Sequence, residues 1–515
     1  MPTICIDGQD VSVPRGATLL RGAEKLGIDI PTLCYLKDRD PLTSCMVCMV
    51  EIEGRPDPVP ACSTPAVEGM RVCTNSESVF AIRRAALELL LSEHLGDCMG
   101  PCQMACPAHM DIPLMIRQIA ADQMADALVT VKQTIALPAV LGRICPAPCE
   151  KVCRRAHVDE AVSICLLKRA AADANPTYVP PKLASKGKRI AIVGAGPAGL
   201  AAAMYLQCAG YDCTVFDDRE QPGGQLRYGV PEAALPRSVL DAEIDTLRQL
   251  GVTFTCGMRI GTDLSLAQLQ QDYAAVYVAV GALQEAHAEE LGLPAGKNGL
   301  VFDRKTYQTE QAGVFVGGDC IRARKLAIRS CADGKEAAVA IDQYCSSNPV
   351  TGPAATFNTR MGKLQKEELQ QLLDQVNSGS RIGASEPDGG YTQFQASAEA
   401  ARCLHCDCRK QTSCKLRQYS QVYGANPTRY KTPRADFSLC VQHPEVIHEP
   451  GKCIKCGLCV KITAEDGEDL GLTFIGRGFQ TRITAPLDKS MAEALTKTAQ
   501  TCVEACPTGA LAFRD

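Results

Sequence analysis

At 515 residues, with 46% hydrophobic and 22% charged side chains, the chain is long enough for several domains and has the composition of an ordinary globular protein. A formal net charge of −4 and the lack of a basic stripe exclude nucleic acid as an expected partner. No apolar run approaches the roughly eighteen residues of a membrane span. The opening "MPTICIDGQDVSV" has neither the basic nor the apolar region of a signal peptide, so a cytoplasmic protein without a membrane span is expected. Cysteine is the outlying residue: 29 copies, bunched at short spacings in a chain too large for a disulfide scaffold, which points to metal ligation. The lone Cys5, Cys73, Cys208, Cys213, Cys256 and Cys345 read as small buried hydrophobes.

In chain order, "ICIDGQDVSVPRGATLLRGAEKLGIDIPTLC" predicts a hairpin turning at "DGQD" and then a short helix, the order of a β-grasp ferredoxin. It leads into Cys34-x10-Cys45-x2-Cys48-x13-Cys62. Four thiolates suit a [2Fe–2S] cluster, with a zinc site as the other reading. The spacing departs from the plant ferredoxin C-x4-C-x2-C and resembles the N-terminal domain of the large iron–sulfur subunit of respiratory complex I and of iron-only hydrogenases.

The second group lies in "HLGDCMGPCQMACP" and "GRICPAPCEKVCRRAHVDEAVSIC", giving Cys98-x3-Cys102-x3-Cys106 and Cys145-x3-Cys149-x3-Cys153-x11-Cys165. Intervals of four place thiols on one helix face, but Pro101, Pro146 and Pro148 argue for broken turns. The pattern resembles the helical N-terminal domain of the glutamate synthase small subunit and of dihydropyrimidine dehydrogenase. That resemblance implies two [4Fe–4S] clusters with ligands exchanged between the two stretches. Seven cysteines leave one place open. His94, four residues before Cys98, is the candidate, since a histidine ligand also occurs at this point in the complex I subunit. A surface or capping role for His94 stays open, and His109 and His157 are lesser candidates.

"KRIAIVGAGPAGLAAAMYLQCAGYDCTVFD" predicts strand, glycine turn, helix and strand. Gly194 makes the tight turn, Gly196 admits a pyrophosphate, and Gly199 permits close helix packing. Pro197 and Ala198 open the helix whose N-terminus takes the phosphate charge, and Asp217 is placed for ribose hydroxyls. "PGGQLRYGVPEAALP" resembles the flavin-binding stretch of the glutamate synthase small subunit and contributes Gly224, Gln225 and Leu226. The resemblance continues through "VYVAVGA" and "GVFVGGDC". It implies FAD, with Gly318 and Asp319 at the ribityl chain and the N-terminus of a helix expected from Leu326 to Ile341, with Ala327 and Ile328 in its first turn, aimed at the flavin pyrimidine. Between Gly281 and Gly317 lie only residues 282–316, too few for the second dinucleotide domain such flavoenzymes insert, and no second G-x-G-x-x-G occurs. An NAD(P)H site is therefore not expected. Arg322, Arg324 and Lys325 stand where the resembled family has small residues; a solvated turn, a partner contact and a polar lid over the flavin all remain open.

The third group, "RCLHCDCRKQTSCKLR", supplies Cys403, Cys406, Cys408 and Cys414, enough for one metal centre, with Cys440 able to replace one of them. The fourth pairs "KCIKCGLCVKIT" with "TCVEACPTGAL". On the two-cluster ferredoxin template C-x2-C-x2-C-x3-C-P, the second cluster's places fall on Thr463, Thr496 and Ala499. Cys453, Cys456, Cys459 and Cys506 complete one [4Fe–4S] set, while Cys502 is left over. The intervening "LTFIGRGFQTRI" resembles the matching region of the complex I subunit.

The expected architecture is thus multidomain α/β. It runs from a β-grasp ferredoxin domain at 1–80 and an α-helical two-cluster domain at 81–180 to a Rossmann-like FAD domain at 186–345. A linker with an amphipathic helix follows at 346–400, then a cysteine-rich segment at 401–440 and a ferredoxin-like region at 441–515. No catalytic nucleophile–base pair is evident. One [2Fe–2S], about four [4Fe–4S] clusters and one FAD make the expected function that of an electron-transfer subunit of a multi-subunit redox enzyme. Its partners would be a catalytic oxidoreductase subunit, such as a formate dehydrogenase or hydrogenase, and other electron-transfer subunits. An autonomous NAD(P)H-dependent flavin oxidoreductase and an Fe–S scaffold with structural FAD are the alternatives.

Overall fold

Ile4 and Ile6 alternate inward along the strand Thr3–Ile6, and the turn at Asp7 and Gly8 sends the chain back as Gln9–Ser12. This is the predicted hairpin. The strand then pairs in parallel with Arg71–Cys73, closing a five-stranded sheet with Met49–Ile52 and Val59–Pro60. The predicted short helix, Leu19–Lys25, is capped by Thr18 and covers the sheet. Its Gly22 lies so near the strand that an added Cβ would stand 3.1 Å from Ile4 Cδ1.

The structure is a computed structural model that describes residues 1–283, 285–322, 326–384, 389–430 and 432–514. Packing divides the chain into two units. One comprises Met1–Met99, Thr356–Gln375 and His405–Asp515; the other comprises Gly100–Ala355 and Val376–Leu404. The expected boundary at 80/81 falls inside the helix Glu77–Ser92. That helix stays with the first unit because Arg83 donates to the Met49 carbonyl at 2.9 Å and to the Tyr423 hydroxyl at 2.8 Å, while Leu87 and Leu91 are buried. The segment expected at 401–440 is likewise divided, after Leu404. The expected amphipathic helix is short, Lys366–Leu373, with Leu369 and Leu372 buried. The first unit ends in the paired strands Val446–His448 and Leu511–Phe513, beside the helices Leu458–Glu465 and Ala499–Ala505.

Glu368 on the short helix accepts from Arg434 at 2.8 Å through both guanidinium nitrogens and from the Phe437 N–H at 2.6 Å. Burial opposes its ionisation, but these donors outweigh it and hold the carboxyl down at about 2. A depressed carboxylate stabilises the fold above its unfolded value near 4.5, and that stability is lost as pH falls toward 2. We expect Glu368→Gln to lower the thermal midpoint by a few degrees at pH 7, with the gap closing on titration from pH 4.5 to 2. A gap that stays constant with pH would contradict this.

In the second unit five parallel strands stand in the order Val314–Val316, Ala275–Val278, Arg189–Val193, Asp212–Asp217 and Thr253–Cys256. The helices Pro197–Cys208 and Ala327–Cys345 pack on one another so closely that a Cβ on Gly334 would lie 2.2 Å from the Ala198 carbonyl oxygen. Residues 282–316 hold the helix Glu285–Glu290 and the two-residue strands Ala295–Gly296 and Gly299–Leu300 before the edge strand begins. The helical part contains Ile112–Ala120, Met124–Lys132, Pro138–Ile144 and Ile164–Ala174. It is tied to the nucleotide fold by Glu243, whose carboxylate accepts from the Ala139 and Val140 N–H groups at 3.0 and 3.1 Å. Among the described residues no helix is long and apolar enough to cross a membrane.

Candidate functional site

Cys34, Cys45, Cys48 and Cys62 are all buried. The loop that presents them passes through Thr43 and Met46 at φ +52° and +55°, left-handed turns that fold it back on itself. The thiols meet in two pairs. A hydrogen bond between Cys34 and Cys45 and another between Cys48 and Cys62 lower one thiol of each pair and push the other up. Two pairs side by side match two bridged irons, each taking two thiolates.

In the helical part, Cys106 and Cys145 follow the ends of Pro101–Ala105 and Pro138–Ile144. Cys149 lies in the one-turn helix Pro148–Lys151, and Cys165 in the first turn of Ile164–Ala174. The buried Lys168 ammonium reaches Cys165 Sγ at 3.9 Å and feels the charges of the other three thiols. Burial works against the Lys168 charge, but the neighbouring Cys165, Cys145, Cys149 and Cys106 outweigh it and raise its pKa. Glu150 accepts from the Cys165 N–H at 2.9 Å and pairs with Arg381 at 2.8 Å, fixing the turn that carries the thiol. Cys102, Cys153 and Cys403 belong to the same unit, and Cys406 to the other.

His94 and Cys98 belong to the first unit, and Cys102 and Cys106, which follow them in sequence, to the second. Burial and the Lys452 ammonium keep the His94 ring neutral, its pKa lowered to about 4, and its Nδ1 is buried without a hydrogen-bond partner. His109 and His157 are exposed. Cys440 exchanges backbone hydrogen bonds with His448 and packs in the C-terminal core. Of the lone cysteines, Cys213 and Cys345 are buried as expected. Cys5, Cys73, Cys208 and Cys256 are only half-buried: Cys5 points to the face of its strand opposite Ile4 and Ile6, and Cys208 lies in the last turn of its helix.

Cys453, Cys456, Cys459 and Cys506 line one cavity with His448, Leu458 and Pro507. Among the described residues no three His, Cys, Asp or Glu side chains are placed to hold a single ion. Thiols standing around a cavity suit a cube whose corners are separate irons. Burial raises Cys453 to about 11 and pushes Cys456 and Cys459 up as well. Thr463 accepts from the Leu472 N–H at 3.1 Å, and Thr496 donates to Glu468 at 2.7 Å, so both are hydrogen-bonded within the fold.

The predicted nucleotide residues converge. Gly194 has φ +108°, and a Cβ there would stand 2.4 Å from the Ala279 carbonyl oxygen. A Cβ on Gly199 would stand 1.9 Å from the Gly194 carbonyl oxygen, whereas one on Gly196 would meet nothing within 4 Å. That clearance beside the N-terminus of Pro197–Cys208 is what a pyrophosphate requires. Asp217 receives the Ala195 N–H at 2.6 Å and the Arg219 N–H at 2.9 Å, and burial raises its pKa. Gly224 stacks on the Gly196 backbone with Gln225 and the buried Leu226 following. Gly318 lies against Ala198, Asp319 accepts from Ser330 at 3.3 Å, and Ala327 and Ile328 open the adjoining helix.

Sequence reasoning missed Lys168, Lys452 and the polar cluster behind Gly318. There Asp333 receives the Gly318 N–H at 3.2 Å and pairs with Arg322 at 2.9 Å and Arg329 at 3.2 Å. A lysine three residues beyond Cys165 on a helix otherwise buried on that face was the available signal. Arg322 thus turns inward onto Asp333, while Arg324 and Lys325 lie outside the described residues.

Three family models match parts of the chain. They are a 2Fe-2S iron-sulfur cluster binding domain over residues 1–77, dihydropyrimidine dehydrogenase domain II with a 4Fe-4S cluster over 95–178, and an NAD(P)-binding Rossmann-like domain over 192–260. The chain is 39% identical over 247 residues to the NADPH-Fe(3+) oxidoreductase subunit beta of Geobacter sulfurreducens, covering 43% of this chain and 36% of that protein. It is 38% identical over 227 residues to the NADP(+)-dependent formate dehydrogenase subunit beta of Moorella thermoacetica, covering 39% and 32%. To the glutamate synthase [NADPH] small chain of Bacillus subtilis it is 36% identical over 203 residues, covering 37% and 41%. The chain therefore spans about a third to two fifths of the length of these relatives. It is a multidomain α/β protein with ferredoxin-type iron–sulfur domains and a Rossmann-like nucleotide domain, related to subunits of multi-subunit oxidoreductases.

Proposed function

We propose that the chain is an electron-transfer subunit of a multi-subunit oxidoreductase, carrying FAD in its nucleotide fold and iron–sulfur clusters on its thiol groups. One observation carries this reading: a single chain gathers thiols, many of them buried, in several separate groups and also holds one dinucleotide fold. In this reading Cys34, Cys45, Cys48 and Cys62 hold a [2Fe–2S] cluster. Cys106, Cys145, Cys149 and Cys165 hold one [4Fe–4S] cluster, and Cys453, Cys456, Cys459 and Cys506 another. FAD is favoured over a nicotinamide because the 224–226 stretch and the Gly318–Asp319 turn both close on the glycine loop, as the flavin resemblance requires. Flavin exchanges electrons in pairs or singly, which lets it join two-electron chemistry to a cluster chain. Substrate conversion is then assigned to a partner subunit of the formate dehydrogenase or hydrogenase type.

The match to an NAD(P)-binding model favours a second reading, a nicotinamide bound at the same glycine loop. Anaerobic mixing of the reconstituted chain with NADH and with NADPH separates the two, with flavin and cluster absorbance followed and dithionite as control. We expect dithionite to bleach the chain and neither nucleotide to do so. Prompt bleaching by either would replace the relay reading with an autonomous NAD(P)H-dependent oxidoreductase, and cluster bleaching in a chain that retains no flavin would put the nicotinamide at the glycine loop.

A further inference from the structure

The first unit is interrupted by the second: the chain leaves it after Met99 and re-enters for the last time at His405. Cys98 and Cys408 stand just inside these two crossings, and the Cys408 N–H points at the Cys98 carbonyl oxygen at 3.4 Å. We propose that His94, Cys98, Cys408 and Cys414 together hold one [4Fe–4S] cluster, whose ligand set is completed only when the two ends flanking the inserted unit meet. This rests on the electron-transfer reading and replaces the grouping by sequence run. It separates Cys98 from Cys102 and Cys106, and Cys408 and Cys414 from Cys403 and Cys406.

Five observations support it. Cys98, Cys408 and Cys414 are 7%, 7% and 5% exposed, and Cys408 and Cys98 are both electrostatic neighbours of the Cys414 thiol. His94, one turn of chain before Cys98, buries an Nδ1 that no protein group satisfies. A buried imidazole nitrogen left open is costly unless a water or a metal takes it, and histidine is the side chain that most often ligates metals. Thr359 donates to the Gly96 carbonyl at 2.7 Å and sets its hydroxyl oxygen 3.2 Å from Cys98 Sγ, steadying the loop that joins histidine to thiol. At Gly509 a side chain is excluded by the site itself, since a Cβ there would lie 2.4 Å from Cys408 Sγ. The Lys452 ammonium, held by Glu449 at 2.7 Å, supplies positive charge next to Cys408 and the His94 ring. Four thiolate or imidazole donors satisfy the four irons of one cube.

The test compares single variants of the full chain by iron and sulfide content and by EPR of the reduced protein. Cys98→Ala and Cys408→Ala are expected to lose the same signal, with about four irons and four sulfides each, while Cys102→Ala keeps that signal. If Cys98→Ala and Cys102→Ala lose one signal together, or Cys408→Ala leaves intact the signal that Cys98→Ala removes, the assignment falls. His94→Cys guards against misfolding, since it offers four thiolates and is expected to retain the iron. Its loss should appear as disappearance of a histidine-nitrogen coupling in pulsed EPR of protein grown on 15N-histidine. A wild type without any such coupling, or a coupling that survives in His94→Cys, overturns the histidine ligand. A wild-type chain that binds iron and sulfide at none of its thiol groups would instead overturn the electron-transfer reading as a whole.

Discussion

Gly196→Ala is expected to leave the fold intact and weaken FAD binding by about a hundredfold or more, whereas Gly199→Ala is expected to damage the fold itself. The two glycines belong to one loop, yet they face different things. An added methyl at Gly199 runs into the Gly194 carbonyl oxygen at 1.9 Å, so strand and helix must separate. At Gly196 the same methyl meets no protein atom within 4 Å. It fills only the space reserved for the ligand, where the backbone N–H groups at the start of Pro197–Cys208 face outward. A hundredfold loss corresponds to roughly 2.8 kcal/mol, a reasonable figure for pushing a diphosphate off its donors. Retained flavin absorbance after gel filtration, read beside circular dichroism and the thermal midpoint, measures both effects. A Gly196→Ala protein that keeps FAD as the wild type does would place the diphosphate elsewhere and undo the cofactor assignment.

Lys168→Met is expected to make the cluster proposed at Cys106, Cys145, Cys149 and Cys165 harder to reduce. At a fixed potential the ratio of reduced to oxidised cluster should fall at least about tenfold, equivalent to about 59 mV for one electron. Lys168 is 3% exposed and feels the charges of all four thiols. Reduction adds negative charge to the cluster, and a buried ammonium nearby favours the more negative state. A pair of unit charges about 4 Å apart interacts by roughly 4 kcal/mol at an effective dielectric of about 20, ample for a tenfold change after burial costs are subtracted. Methionine keeps the length and apolar body of the side chain, so packing is disturbed little. An EPR redox titration provides the number. An unchanged midpoint would mean that the lysine serves only to fill the helix bundle.

Local chemistry made much of this site legible from sequence. The hairpin at Asp7–Gly8, the glycine loop at 194–199 and the run Cys453, Cys456, Cys459 are each short, and their spacing fixes what neighbours what. The Rossmann strands followed from continuous apolar runs such as Arg189–Val193, buried from Ile190 onward. What the sequence concealed was which distant stretches meet. Cys98 is spaced as though it continued into Cys102 and Cys106, but the chain crosses from one unit to the other between Met99 and Gly100. Periodicity has no means of registering such a crossing. Lys168 and Asp333 were passed over for a related reason. A charged residue on a helix reads as solvent-facing until packing shows that it is 3% and 0% exposed respectively, and only then does a thiol group or a pair of arginines appear as its partner.

The interrupted first unit also imposes an order on biosynthesis. Cys98 leaves the ribosome 310 residues before Cys408, the residue whose N–H meets its carbonyl (408 minus 98). At about 5–20 residues per second that is a delay of roughly 15–60 seconds, during which the second unit can begin to fold while Cys98 still lacks Cys408. Maturation of such a chain is a matter of timing as much as of structure. Oxygen and stray metal ions have their best opportunity before residue 405 emerges, and a cell that makes this protein has reason to guard the nascent chain through that interval.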